Sequence, residues 1–83
     1  MELKVQSQPF GGKIMNKFSE RFEQLRIEMN LSYQDVANAL NIGERAVRYY
    51  VSGKRLPTVE GLCILANMFG VSTDFLLGLS DEK

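Results

Sequence analysis

Apolar residues recur along this chain at helical spacing, in short blocks separated by residues that favour turns. Phe22, Leu25 and Met29, with Arg26 beside them, follow the rhythm of an amphipathic helix, and Ser19 stands where an N-cap hydroxyl is expected. Asn30 tolerates the left-handed conformation that ends such a helix. Ser32-Tyr33-Gln34-Asp35 has the hydroxyl-then-acid spacing of a capping box, and Val36, Ala37 and Leu40 continue on one face. Asn41-Ile42-Gly43 interrupts the pattern and Glu44 restarts it. Ala46, Val47 and Tyr50 then form the inward side of a third helix that Ser52-Gly53 closes.

Pro57 lies in the next connection. Thr58 caps a fourth helix with Val59, Leu62, Cys63, Leu65, Ala66 and Phe69 apolar, and Gly70 ends it. Ser72 caps a fifth, short helix containing Phe75, Leu76 and Leu79. Connections of about three to six residues, with no strand-period segment between them, predict an all-α fold: a compact five-helix bundle. The start of the chain differs. Pro9, Gly11 and Gly12 punctuate it and Leu3/Val5 alternate for only two beats, so residues 1–15 are expected to form a flexible arm or a short edge strand. Met15 is an alternative start. Residues 16–79 form the expected folded domain and 80–83 an acidic tail.

Composition narrows the chemistry. The 83 residues are 45% hydrophobic and 24% charged, with ten Lys+Arg balancing ten Asp+Glu. No run of eighteen apolar residues exists, so no membrane span or membrane partner is expected, and Met1–Met15 lacks the apolar segment of a secretory signal. Histidine is absent and there is one cysteine, which excludes histidine acid–base catalysis, Cys–His nucleophiles, Cys/His zinc sites and internal disulfides. That usage fits a cytoplasmic protein. With no paired carboxylates, phosphate-cradling loop or metal-ligand set, an enzyme, a cofactor and a small-molecule ligand are not expected. A core this small is marginal, and a homodimer is a natural supplement.

The informative unit is the pair of helices Ser32–Leu40 and Glu44–Ser52 joined by a tight turn. Small Ala37 suits their crossing, Ile42 points inward, and Glu44, Arg45, Arg48 and Tyr49 share the outward face of the second helix. The order and spacing of Arg26, Leu31-Ser32, Val36-Ala37, Leu40, Ile42, Val47, Gly53-Lys54-Arg55, Pro57 and Gly70-Val71-Ser72 resemble the helix-turn-helix of lambda-repressor, Cro and Xre regulators. The closing Ser72-Thr73-Asp74-Phe75-Leu76-Leu77-Gly78 is similar to that family's ending. The resemblance covers roughly residues 18–79. Charge agrees: Asn41 to Thr58 holds four bases (Arg45, Arg48, Lys54, Arg55) and one acid, whereas Val59 to Lys83 holds four acids and one base.

The resemblance implies a transcriptional regulator, acting as a repressor in bacteria or phage, whose third helix enters the major groove of double-stranded DNA as a dimer on an inverted repeat. It assigns base reading to Glu44, Arg45, Ala46, Arg48 and Tyr49, and phosphate contacts to Ser32, Tyr33, Gln34, Lys54 and Arg55. Two positions depart from the family. A glutamate that commonly pairs with the arginine at Arg26 is replaced by Val51, and Tyr33 stands where a phosphate-bonding glutamine is usual.

Blander readings stand beside these. Glu44–Arg48 has the spacing of an ordinary i,i+4 surface pair. Tyr50 is expected in the core and Tyr49 outside, and Cys63 is expected to be a buried structural thiol. Phe75, Leu76, Leu77 and Leu79 cannot all point inward from one short helix, which leaves one or two for a two-fold interface. Disorder is the expectation for the arm that carries Lys4 and Lys13, with contact to a minor groove as the alternative. The competing function is an interaction module, such as an antitoxin or antirepressor on the same fold, that mainly binds a protein partner.

Overall fold

A computed structural model describes the backbone of residues 10–83 and the side chains from Lys17 onward. Five helices follow in order: α1 (Phe10–Glu28), α2 (Tyr33–Leu40), α3 (Glu44–Ser52), α4 (Val59–Phe69) and α5 (Thr73–Leu77). The described residues form one all-α bundle in which α1 packs on α3 and α5, α2 on α3 and α4, and α4 on α5.

Three of the four hydroxyls expected to cap helices do so. Ser32, Thr58 and Ser72 each accept a hydrogen bond from the backbone N–H three residues on, and Asp35 completes the capping box by accepting from the Ser32 N–H. Asn30 (φ 57°), Asn41 (φ 58°), Gly53, Gly70 and Gly78 take the left-handed conformation that stops a helix. At Gly78 the chain also presses on α1, where a Cβ would lie 2.5 Å from that of Lys17. No other residue fits there without movement.

The first helix begins earlier than expected. Backbone from Phe10 to Met15 is helical, although those residues fall within the expected arm; residues 1–9, with Lys4 and the Leu3/Val5 alternation, lie outside the described residues. Gly11 and Gly12 each cost about 1 kcal/mol relative to alanine but do not forbid a helix. Ser19 is therefore interior, not an N-cap. Its hydroxyl donates across to the Tyr50 carbonyl (2.8 Å) and ties α1 to the end of α3.

Phe18, Phe22 and Leu25 on α1 supply one wall of the core, opposite Val36, Ala37, Val47, Tyr50, Leu65, Ala66, Phe69 and Leu76. Phe18 and Phe22 stack at 5.6 Å between centroids, and the Tyr50 ring meets both edge-on at 6.0 and 6.2 Å. Burial pushes the Tyr50 hydroxyl above the ordinary tyrosine range. Two expectations on the outer helices fail. Cys63 is exposed, because the inward stripe of α4 is Leu62, Leu65, Ala66 and Phe69 and Cys63 sits one residue, about 100°, off it. Leu79 lies beyond α5, which Gly78 ends.

Candidate nucleic-acid interface

The turn between α2 and α3 takes three residues. Asn41 adopts φ 58°, ψ 46°, and the Ile42 N–H reaches back to the Ala37 carbonyl at 3.0 Å, which closes the end of α2. Ile42 then packs against the core and Gly43 opens α3 in extended backbone. A side chain at Gly43 would meet nothing within 4 Å, so Asn41 rather than Gly43 makes the break. Behind the turn, Val36, Ala37 and Val47 are completely buried, which anchors α3 from within.

The opposite side of α3 is left open by the described residues. Arg45 is exposed and has no hydrogen-bond, ionic or ring partner among them, and Ala46 is half-buried beside it. Arg48 is exposed and donates to Glu44 Oε2 at 2.7 Å, the pair its spacing anticipates. Tyr49 is half-buried rather than fully exposed, because Arg55 from the following loop lies over its ring at 4.8 Å. Lys54 and Arg55 extend the same basic region, both exposed. Ser32 and Gln34 are also exposed at the start of α2. The Ser32 hydroxyl accepts from the Asp35 N–H, and Gln34 Nε2 donates to Asn38 at 2.9 Å.

Tyr33 is placed differently from its neighbours. It is half-buried, its hydroxyl donates to Glu23 Oε2 at 3.1 Å, and the guanidinium groups of Arg26 and Arg48 lie over its ring at 4.3 and 5.0 Å. Glu23 resolves what pairs with Arg26 when Val51 cannot. Arg26 grips both Glu23 oxygens (2.9 and 2.6 Å) and donates to the Leu31 carbonyl at 2.7 Å. The Arg26 hydrogen bonds hold the Glu23 carboxyl below its ordinary range against the opposing effect of burial, and the Tyr33 hydroxyl adds to this. The same contacts raise Arg26. The signal for this cluster was the i,i+3 spacing of Glu23 and Arg26 within α1.

The C-terminal side chains separate. Leu76 is completely buried within the chain's own core, so it is unavailable to a dimer interface. Phe75 is half-buried under the Arg21 guanidinium, 4.1 Å from its ring centroid. Leu77 is half-buried and Leu79 is 59% exposed. The acidic tail folds back: Arg21 donates to the Phe75 and Ser80 carbonyls (2.6 and 2.7 Å) and pairs with Asp81 at 2.8 Å.

Two helices joined by a three-residue turn, braced by three others, with an uncovered basic face on the second of the pair, define a helix-turn-helix domain. The helix-turn-helix family model matches residues 22–76. The chain belongs to the lambda-repressor/Cro-like (Xre) family of helix-turn-helix transcriptional regulators. It is 38% identical over 64 residues to the HTH-type transcriptional regulator AnsR of Bacillus subtilis, covering 77% of this chain and 55% of that protein. It is 33% identical over 66 residues to the cryptic phage CTXphi transcriptional repressor RstR of Vibrio cholerae, covering 80% and 60%. A crystal structure of a transcriptional regulator from Listeria innocua superposes with a TM-score of 0.73 at 38% identity, over 80% of this chain and 62% of that one. This chain thus spans a little over half the length of these proteins. The family consists of DNA-binding regulators and is not a class of enzymes. No helix among the described residues is long and apolar enough to cross a membrane.

Proposed function

We propose that the chain is a sequence-specific repressor that lays α3 in the major groove of double-stranded DNA, as a homodimer on an inverted repeat, in the cytoplasm of a bacterium. The observation that carries this reading is the face of α3 that the described residues leave uncovered, where Arg45 has no partner among them and Lys54 and Arg55 stand beside it. A helix of about 10–12 Å diameter fits a groove about 12 Å wide. The planar Arg45 guanidinium suits guanine O6 and N7, while Glu44, Ala46, Arg48 and Tyr49 complete the reading surface. Ser32, Gln34, Lys54 and Arg55 contact phosphate and fix the register. Occupying the groove is enough to exclude a competing protein, which suits repression, and RstR is named a repressor. Exposed Leu79, with the half-buried edges of Leu77 and Phe75, is the apolar surface assigned here to a second copy.

Selection of bound fragments from random DNA, followed by anisotropy titration, tests this reading. The expected product is a two-fold site with half-sites about 34 Å apart. Affinity falls with salt as counterions are released. Arg45→Ala and Arg48→Ala each lose roughly five- to hundredfold on that site. Salt-independent affinity, or two variants that bind like the wild type, would refute it. A promoter–reporter assay with the recovered site tests the direction of control, and a rise in transcription would contradict repression.

A further inference from the structure

Tyr33 opens α2, next to the groove-facing surface, yet its position is set from α1. Its hydroxyl donates to Glu23, the same carboxylate that holds Arg26, and Arg26 lies over its ring at 4.3 Å. From α3, Arg48 reaches over the same ring at 5.0 Å while donating to Glu44 one turn back on its own helix. Arg48 is therefore held at two points, by an aromatic ring from α2 and by a carboxylate from α3. Arg45, on the same face, has neither among the described residues. Among the described residues the reading surface thus presents one guanidinium with no partner and one with two. A long arginine side chain otherwise samples many rotamers, and ordering it before contact removes part of the entropic cost of binding.

We infer that Tyr33 is a positioning residue that determines specificity: without touching a base, its ring sets where the Arg48 guanidinium meets the DNA. The inference rests on the reading of α3 as the DNA-reading helix. It predicts that a change in α2 alters base preference where Arg48 reads and leaves preference unchanged where Arg45 reads. A cation over an exposed aromatic ring corresponds to about a two- to fivefold change in an equilibrium.

The test uses the full chain and the variants Tyr33→Phe, Tyr33→Leu, Tyr33→Met, Arg45→Ala, Arg48→Ala and the double variant Tyr33→Leu/Arg48→Ala. Anisotropy is measured on the selected site and on its single-base variants, with NMR of the Arg48 side-chain Nε–H in the free protein. In the wild type and Tyr33→Phe the Arg48 signal carries a ring-current shift, which Tyr33→Leu and Tyr33→Met abolish. Both ring-deleted variants weaken binding roughly two- to fivefold and relax preference only where Arg48→Ala does. Tyr33→Leu adds nothing in the Arg48→Ala background. Tyr33→Met supplies the same readings should Tyr33→Leu not fold. An undiminished Tyr33→Leu loss in the Arg48→Ala background, relaxation at Arg45-dependent positions, or an Arg48 signal indifferent to the ring overturns the inference. Should Arg48→Ala be silent while Arg45→Ala loses binding, this inference falls and the reading of α3 stands. If both are silent, both fall.

Discussion

Replacing Glu23 by glutamine removes one charge from the cluster that joins α1 to α2 and leaves the shape unchanged. The carboxylate accepts three hydrogen bonds, two from Arg26 and one from Tyr33, and glutamine retains only one acceptor oxygen. The side chains of Arg26 and Glu23 are 16% and 27% exposed, between a surface pair worth up to about 1 kcal/mol and a buried one whose disruption costs about 3–5 kcal/mol. Arg26 keeps the Leu31 carbonyl and the Tyr33 ring, so the expected loss for Glu23→Gln is about 1–2 kcal/mol. The sign with pH follows from the lowered carboxyl. Its contribution is complete above the ordinary glutamate value of 4.5 and disappears as the pH falls through the lower folded-state value. Urea unfolding of both proteins at neutral pH and well into the acid range measures the difference. The gap should be widest at neutral pH and shrink on acidification. A gap of equal size at both, or none at neutral pH, would refute the assignment of Glu23 as the partner of Arg26.

Other outcomes follow from the same geometry. Val47→Ala deletes two methyl groups from a completely buried site and should cost about 2 kcal/mol in urea unfolding, with m unchanged. Arg21→Ala releases the two carbonyls and the carboxylate that hold the chain end, so amide exchange should accelerate near residues 79–82 while α2 and α3 keep their protection. Exposed Cys63 should react with a thiol reagent in the native state without a lag, and Cys63→Ser should change stability by less than about 0.5 kcal/mol.

Helix order, caps and the α2–α3 turn were legible because each depends on residues close in sequence: Ser32 with Asp35, Thr58 with Gly61, Asn41 with Ala37. The inner face was legible for the same reason at Phe22, Leu25, Val47 and Leu65. The misplacements have a different origin. The start of α1 was masked by two glycines that a helix tolerates. Cys63 counts as apolar, but angle and not polarity decides burial on α4. In the candidate site, the outward direction of Arg45 and Arg48 follows from spacing. The cluster of Glu23, Arg26, Tyr33 and Arg48 joins three helices, and only its Glu23–Arg26 edge has a local signature. Likewise, Arg21 meets Ser80 and Asp81 across some sixty positions, a separation no periodicity reports.

The most direct measurement is methylation interference at guanine N7 on the selected DNA, which reports occupancy of the major groove at single bases. With the wild type, premethylation should block binding at a symmetric set of guanines, and with Arg45→Ala the interference should vanish at one symmetry-related pair and persist elsewhere. An identical pattern for both proteins, or none for either on DNA that both bind, would contradict a groove read by the open side of α3.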